Sequence, residues 1–331
     1  MPLRHAIGAG FVLSLLLAGS ACSTSTTADE SLVQVVTTVA PITNIVQNVG
    51  GDRVFISGIV PEGTNSHTFE PAPADAAVME EAEIVFINGL HLEEPTRELA
   101  EANLSEGVPL VALADRTISE DEYIFDFSFP ESAGFPNPHL WTNPPYAKKY
   151  AEIVMAELSK LDPEGASTYQ ENFDTFAQRL DDLDEAVRTA TATVPEEDRR
   201  LLTYHDSFPY FAREYGWEVV GAIQPSDFAE PTPKEVAGLI EQIRAEDLPA
   251  IFGSEVFPSP VLEQIAAETG TTYVDDLRDD DLPGEAGDPD HSYLGLMVFD
   301  FTTIVDALGG NGSAFRGIDV ANLSTGGGAR Y

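Results

Sequence analysis

The 331-residue chain has a single cysteine, Cys22, which leaves no partner for a disulfide within the chain. It also removes any cysteine-based zinc module, in which the ligands sit a few residues apart. Basic residues are the second shortage: 17 Lys and Arg stand against 56 Asp and Glu, for a formal net charge of −39. A field of that sign repels polyphosphate and anionic lipid, so no nucleic-acid partner is expected, while cations and strong solvation are favoured. Surface solvation, in the manner of halophile proteins, accounts for such acidity; a field that gathers metal cations at a cleft is compatible with it. The apolar run Ala6 to Leu17 falls short of the roughly 20 residues that span a bilayer. The chain also lacks a helical His-Glu-x-x-His motif and a serine elbow, the local signatures of two large hydrolase classes.

What is present is ordinary globular composition, 43% hydrophobic and 9% aromatic, in a chain long enough for two cores. Residues 1–21 read as an export signal: Arg4, the apolar run, then the small residues Ala18, Gly19, Ser20 and Ala21. Cys22 ends that signal and opens a polar tether through residue 32. The arrangement resembles a bacterial lipoprotein signal, whose cysteine is lipidated, although Gly19 stands where that motif usually has Leu. Cleavage near Ala21 with ordinary secretion is the alternative. Either route implies an extracytoplasmic protein stabilised by burial.

From Leu32 onward, β-rich apolar runs alternate with helical periodicity, which predicts an α/β fold of parallel sheets flanked by helices. Strands are expected at Val33–Val39, Val54–Val60, Glu83–Asn88 and Val108–Val111, then at Leu201–Tyr204, Trp217–Ile223, Ala250–Gly253 and Thr271–Val274. Helices are expected at Pro73–Ala82, Phe208–Tyr215, Thr232–Ala245 and Pro260–Thr269. Between the two sets, Tyr169, Phe173, Phe176, Leu180, Leu183 and Val187 form one helical stripe within Glu164–Thr193. A helix of that length runs roughly 45 Å. The expected organisation is an N-terminal lobe at 33–162, a linking helix at 163–194, a C-terminal lobe at 195–309 and a flexible Gly- and Ser-rich tail at 310–331.

Three histidines, His67, His139 and His205, lie 72 and 66 residues apart, and Asp275 follows 70 residues later. Ligands so dispersed meet only if the tertiary fold gathers them. Each stands where an open α/β sheet places its ligands, in a loop or just beyond a strand's C-terminal end. Two come from each lobe, so the expected site is a cleft, and three imidazoles with one carboxylate close a tetrahedral zinc shell. Asp276 is the alternative carboxylate, but strand alternation turns it to the opposite side.

The segments His67-Thr68-Phe69-Glu70-Pro71, Asn88-Gly89-Leu90, Pro138-His139-Leu140-Trp141, His205 with Phe208 and Tyr210-Phe211-Ala212, and Val274-Asp275 together resemble one family. The chain looks like the cluster A-I solute-binding lipoproteins of bacterial zinc and manganese ABC transporters, from about Val33 to Leu308. The resemblance implies two lobes held by one stiff helix, and metal at His67, His139, His205 and Asp275. It further implies a monomer that hands its ion to a membrane permease and is not an enzyme. The chain departs from the family at Asn65-Ser66, where an Asp-Pro pair is common, and at Asn143, where Asp is common. Manganese binders of the family commonly carry a carboxylate at the third position; His205 is an imidazole and points to Zn²⁺, with Mn²⁺ the alternative.

The remaining candidates are weaker. Thr117–Pro136 holds no histidine and reads as a plain surface loop, with a mobile lid the alternative, and His91 as a surface residue. His291 reads as part of a capping turn before a helix at Tyr293–Leu308, with an auxiliary metal contact the alternative, and the acidic stretch Asp279–Glu285 as a solvated loop. A zinc hydrolase with Glu70 or Glu255 as base is the rival function, but four protein ligands leave it no open position. Surface adhesion, sometimes claimed for the family, finds no support in the residues.

Overall fold

The structure, a computed structural model, describes residues 32–324 apart from 225–227, 229–230, 255, 257–259 and 276. The export signal, Cys22, Glu255 and Asp276 lie outside the described residues. In the first lobe, β1 (Val33–Thr37), β2 (Val54–Gly58), β3 (Ile84–Ile87) and β4 (Leu110–Ala112) form a wholly parallel sheet in the order β2-β1-β3-β4. Three helices accompany them, α1 (Ala40–Gly50), α2 (Asp75–Glu81) and α3 (Glu94–Asn103). All four residues of β3 are buried, as expected of a parallel strand covered on both faces. Phe86 faces a core with Val35, Ile45 and Ile56, while Val85 and Ile87 face Val36, Met79 and Ala100 on the other side.

Two long helices follow, α4 (Pro144–Leu161) and α5 (Ala166–Thr191). The second lobe repeats the winding of the first: β5 (Arg200–Thr203), β6 (Glu218–Ala222), β7 (Ala250–Phe252) and β8 (Thr272–Val274) run parallel in the order β6-β5-β7-β8. Its helices are α6 (Pro209–Tyr215), α7 (Pro233–Glu246), α8 (Pro260–Thr269) and α9 (Tyr293–Ala307). Proline opens α1, α3, α4, α6 and α7 at a position whose N–H has no intrahelical partner anyway. Thr232 and Glu235 add a reciprocal capping box to α7.

The predicted linking helix is α5, 26 residues and so roughly 39 Å long. Its stripe of Tyr169, Phe176, Leu180, Leu183 and Val187 is buried, and it packs on α4, α1 and α9. One apolar cluster therefore runs from Val35 and Phe86 of the first lobe through this stripe to Leu201 and Phe252 of the second. Such a helix resists bending, because any bend must open a packed core on one of its sides.

The tail departs from expectation as far as residue 324. Phe315 is buried, and Arg179 of α5 pairs with Asp319 at 2.5 Å. The Asn322 side chain accepts from Asn44 at 2.9 Å and Asn48 at 3.0 Å on α1, and donates to the His291 carbonyl at 3.0 Å. Small polar residues that suggest fraying in the sequence here satisfy buried amides at the meeting of α1, α5 and α9. Among the described residues, no helix is long and apolar enough to cross a membrane.

Candidate metal centre

The loops that carry the histidines leave the C-terminal side of the sheets. His205 lies two residues past the end of β5, at the point where the strand order reverses between β5 and β7. His67 is in the loop after β2, and His139 precedes a short 3-10 turn, Leu140–Thr142, that leads into α4. Parallel winding brings such loops to a common edge regardless of their separation in sequence.

The two lobes are stitched together around these loops. Asn137 Nδ2 donates to the Asp206 carbonyl at 2.6 Å, Thr142 Oγ1 to the Ser207 carbonyl at 2.9 Å and Asn143 Nδ2 to the Tyr210 carbonyl at 3.0 Å. The His139 and His205 loops thus form one hydrogen-bonded unit. A second seam joins the His67 loop to the acidic loop: Gly63 N–H donates to Asp281 at 2.7 Å, Leu282 N–H to Glu62 at 3.0 Å, and the Ser66 hydroxyl to Asp280 at 2.5 Å. The unusual Asn65-Ser66 pair now has a role. Asn65 Oδ1 receives the His67 N–H at 3.0 Å, and Ser66 holds the opposite lobe.

The structure brings the three histidines together. Their Nε2 atoms are separated by 3.3 Å for His67 and His139, 3.2 Å for His67 and His205, and 2.9 Å for His139 and His205. Zinc–nitrogen bonds of about 2.0–2.1 Å at tetrahedral angles place nitrogens about 3.3 Å apart. Among the described residues this is the one group of three or more His, Cys, Asp or Glu side chains able to share an ion.

Both partners of the shortest contact carry their proton on the far nitrogen. Asn137 Oδ1 faces His139 Nδ1 at 2.8 Å and also accepts the His139 N–H at 3.0 Å, which fixes the amide's orientation. Gln224 Oε1 faces His205 Nδ1 at 2.6 Å. An amide oxygen only accepts, so each Nδ1 donates and each Nε2 presents a bare lone pair. Two lone pairs opposed at 2.9 Å repel unless a cation lies between them.

Burial lowers the pKa of all three imidazoles, and their mutual repulsion lowers those of His67 and His139 further. For His205, the Asp280 charge and the Gln224 hydrogen bond act in the opposite direction. The rings are consequently neutral at neutral pH, the state that ligates a metal. Ligation ends only when protons displace the ion, and lowered pKa values move that event to more acidic pH. Divalent-metal affinity is expected to be flat from pH 8 to about 6.5, the ordinary histidine value, and to fall below it by up to about tenfold per pH unit for each proton taken up. Competition titrations across this range check it; a steep loss between pH 8 and 7 would contradict it.

The fourth predicted residue is not brought in. Asp275 is exposed at the end of β8, and the chain continues to Leu277, which is buried, before the acidic loop turns back toward the histidines. Asp279 instead lies beside His205: it is 4% exposed, and its Oδ2 is 3.4 Å from His205 Nε2, although it stands outside the group of three able to share an ion. Asp280 is also buried, but its carboxylate is held by Ser66. The loop expected to be solvated is therefore partly interior, pinned by Leu277 and Leu282 and by Trp141 Nε1 donating to the Asp279 carbonyl at 2.9 Å. The sequence signal available was an acidic run flanked by leucines rather than by polar residues.

Thr117–Pro136 likewise does more than cover surface. Phe129 is buried with its ring 5.4 Å from that of His67, and Phe228 stacks on the His67 ring at 4.4 Å, 14° from parallel. In the same segment Asp126 meets Asp206 across the lobes, and burial with like charge raises the pKa of the Asp126 carboxyl, so the pair shares a proton. His91 stays at the surface, 3.1 Å from Glu94. His291 lies away from the cluster, with Nε2 3.9 Å from Glu62 and Nδ1 toward the Pro283 carbonyl.

Comparison with known proteins agrees in fold and length. The chain is 28% identical over 298 residues to the manganese-binding lipoprotein MntA of Halalkalibacterium halodurans, covering 90% of this chain and 96% of that protein. The periplasmic zinc-binding protein TroA from Treponema pallidum superposes with a TM-score of 0.74 at 29% identity, over 83% of this chain and 98% of that one. A manganese-bound periplasmic metal-binding protein from Candidatus Liberibacter asiaticus gives a TM-score of 0.71 at 28% identity, with the same coverage. The family model described as zinc-uptake complex component A, periplasmic, matches residues 35–307, and the chain belongs to that ZnuA family.

Proposed function

We propose that the protein captures one Zn²⁺ outside the cytoplasm, holds it between the lobes with His67, His139, His205 and Asp279, and delivers it to an ABC-transporter permease. The observation that carries this reading is the convergence of three Nε2 atoms within 3.3 Å, two of them with their protons committed elsewhere. Anchoring through a lipidated Cys22 belongs to the same proposal, supported by the signal-like residues 1–21 and by relatives named as lipoproteins. The ion is cargo, so nothing need remain open for a reacting water. Of the two candidate bases of the hydrolase alternative, Glu70 is exposed and Glu255 lies outside the described residues.

Zinc is preferred to manganese because three of the four side chains are imidazoles, which favour zinc over manganese. Relatives named as manganese-binding keep the other reading in view. Titration of metal-free protein with Zn²⁺ in the presence of excess Mn²⁺ decides between them. One tightly bound Zn²⁺ per chain, not displaced by manganese, is expected; displacement of zinc by a comparable concentration of Mn²⁺ would overturn the assignment.

A further inference from the structure

We propose that Gln224 is a positioning residue of the zinc site, one that selects the metal-ready tautomer of His205. The inference rests on the zinc-binding reading above and assigns a role to a residue that no ligand pattern in the sequence marks.

Gln224 is 1% exposed and lies two residues beyond β6, the strand beside β5. Its main chain is fixed from both lobes. The Gln224 N–H donates to the Tyr204 carbonyl at 2.9 Å, and the Gln224 carbonyl accepts the hydroxyl of Ser128, in the first lobe's loop, at 2.7 Å. The side chain is fixed too: Nε2 donates to the Phe228 carbonyl at 3.4 Å, and because a carbonyl cannot donate, Oε1 must be the atom facing His205. The 2.6 Å contact from Oε1 to Nδ1 therefore holds the proton on Nδ1 and leaves Nε2 bare toward His67, His139 and Asp279.

The consequence is specific to this chain's choice of an imidazole at position 205. An imidazole ligates through Nε2 only in one of its two neutral tautomers, and a buried ring without an acceptor at Nδ1 divides between them. Without Gln224, the proton moves to Nε2 in part of the population and lies in the hydrogen-bonding space among the three rings, where it must be displaced before a metal enters. Such outer partners of ligating histidines are typically worth roughly 10- to 100-fold in metal affinity. A carboxylate at 205 would need no such partner, so His205 and Gln224 form a functional pair.

The test uses two near-isosteric variants, Gln224→Met, which removes the acceptor, and Gln224→Glu, which keeps one. Zinc affinity is measured by competition with a chromophoric chelator, and imidazole ¹⁵N–¹H correlation spectra are recorded on the metal-free proteins at pH 8. Expected are a loss of roughly 10- to 100-fold for Gln224→Met and less than about threefold for Gln224→Glu. The wild-type His205 ring should be protonated at Nδ1, and the Gln224→Met ring should show the mixed tautomer. Equal loss in both variants, unchanged affinity in Gln224→Met, or a wild-type His205 proton on Nε2 would overturn the proposal. The spectra are read without metal, so they separate this inference from the zinc reading, whose own failure would appear as wild-type protein that binds no zinc.

Discussion

Replacing His139 with alanine is expected to weaken zinc binding by about 100- to 1,000-fold. Structural zinc sites have apparent binding energies of about 10–16 kcal/mol, and an equal share for each of four ligands is roughly 3 kcal/mol, or two or more orders of magnitude in Kd. His139 is fully buried, and its Nε2 lies within 3.3 Å of both other imidazole nitrogens, so no exposed side chain or incoming solvent takes its place cheaply. Stability gives an independent reading. At a free zinc concentration 100-fold above Kd, the bound ion adds about 2.7 kcal/mol to the wild-type protein, and most of that zinc-dependent increment should vanish in His139→Ala. An unchanged Kd in a variant with normal circular dichroism would exclude His139 from the site.

The second large effect separates two aspartates. Asp279→Ala is expected to cost about 100-fold in zinc affinity, by the same division of binding energy, whereas Asp275→Ala should change it by less than about threefold. Asp279 is buried, with its carboxylate oxygen 3.4 Å from His205 Nε2, while Asp275 is exposed at the strand end. The Trp141 hydrogen bond goes to the Asp279 main chain and survives the substitution, so the loop should keep its place. Asp279→Asn refines the comparison, because it removes the charge but leaves a carbonyl oxygen in nearly the same position. A large loss in Asp275→Ala with none in Asp279→Ala would reverse the assignment.

The contrast between these aspartates marks where sequence reasoning stops. The strands were legible because parallel strands are short apolar runs closed by turn residues: β8 ends at Val274, as its hydrophobic run requires, and α8 spans Pro260–Thr269 as its proline start and apolar spacing require. The stripe of α5 was legible because burial on one face repeats at helical spacing. The convergence of His67, His139 and His205 was legible because few histidines exist and each stands in a loop at the end of a strand or before a helix. The approach of Asp279 to His205 was not, because the path of the loop after β8 is set by the packing of Leu277 and Leu282 in the second lobe against the first, a long-range matter that local pattern does not encode. The same holds for Asn137 and Gln224, whose importance lies in which atom they face, and for Asn322, which looks like part of a frayed end until its three amide and carbonyl partners are seen.

The geometry also bears on how the ion is let go. Around the site the lobes share hydrogen bonds at Asn137, Thr142 and Asn143 on one side and at Glu62, Gly63 and Ser66 on the other, and α5 is packed along its length. A wide hinge opening would break both seams and expose the Phe129 and Phe228 rings beside His67. Small displacements of one loop, sufficient to withdraw one ligand, fit this arrangement better than domain-scale rotation.

X-ray absorption at the zinc K-edge of the protein loaded with one equivalent of Zn²⁺ reads the ligand set itself. Expected is a low-coordinate site of three imidazole nitrogens, with their outer-ring scattering, and carboxylate oxygen, at about 2.0–2.2 Å. A six-coordinate shell of oxygen ligands, or scattering from fewer than three imidazoles, would contradict it.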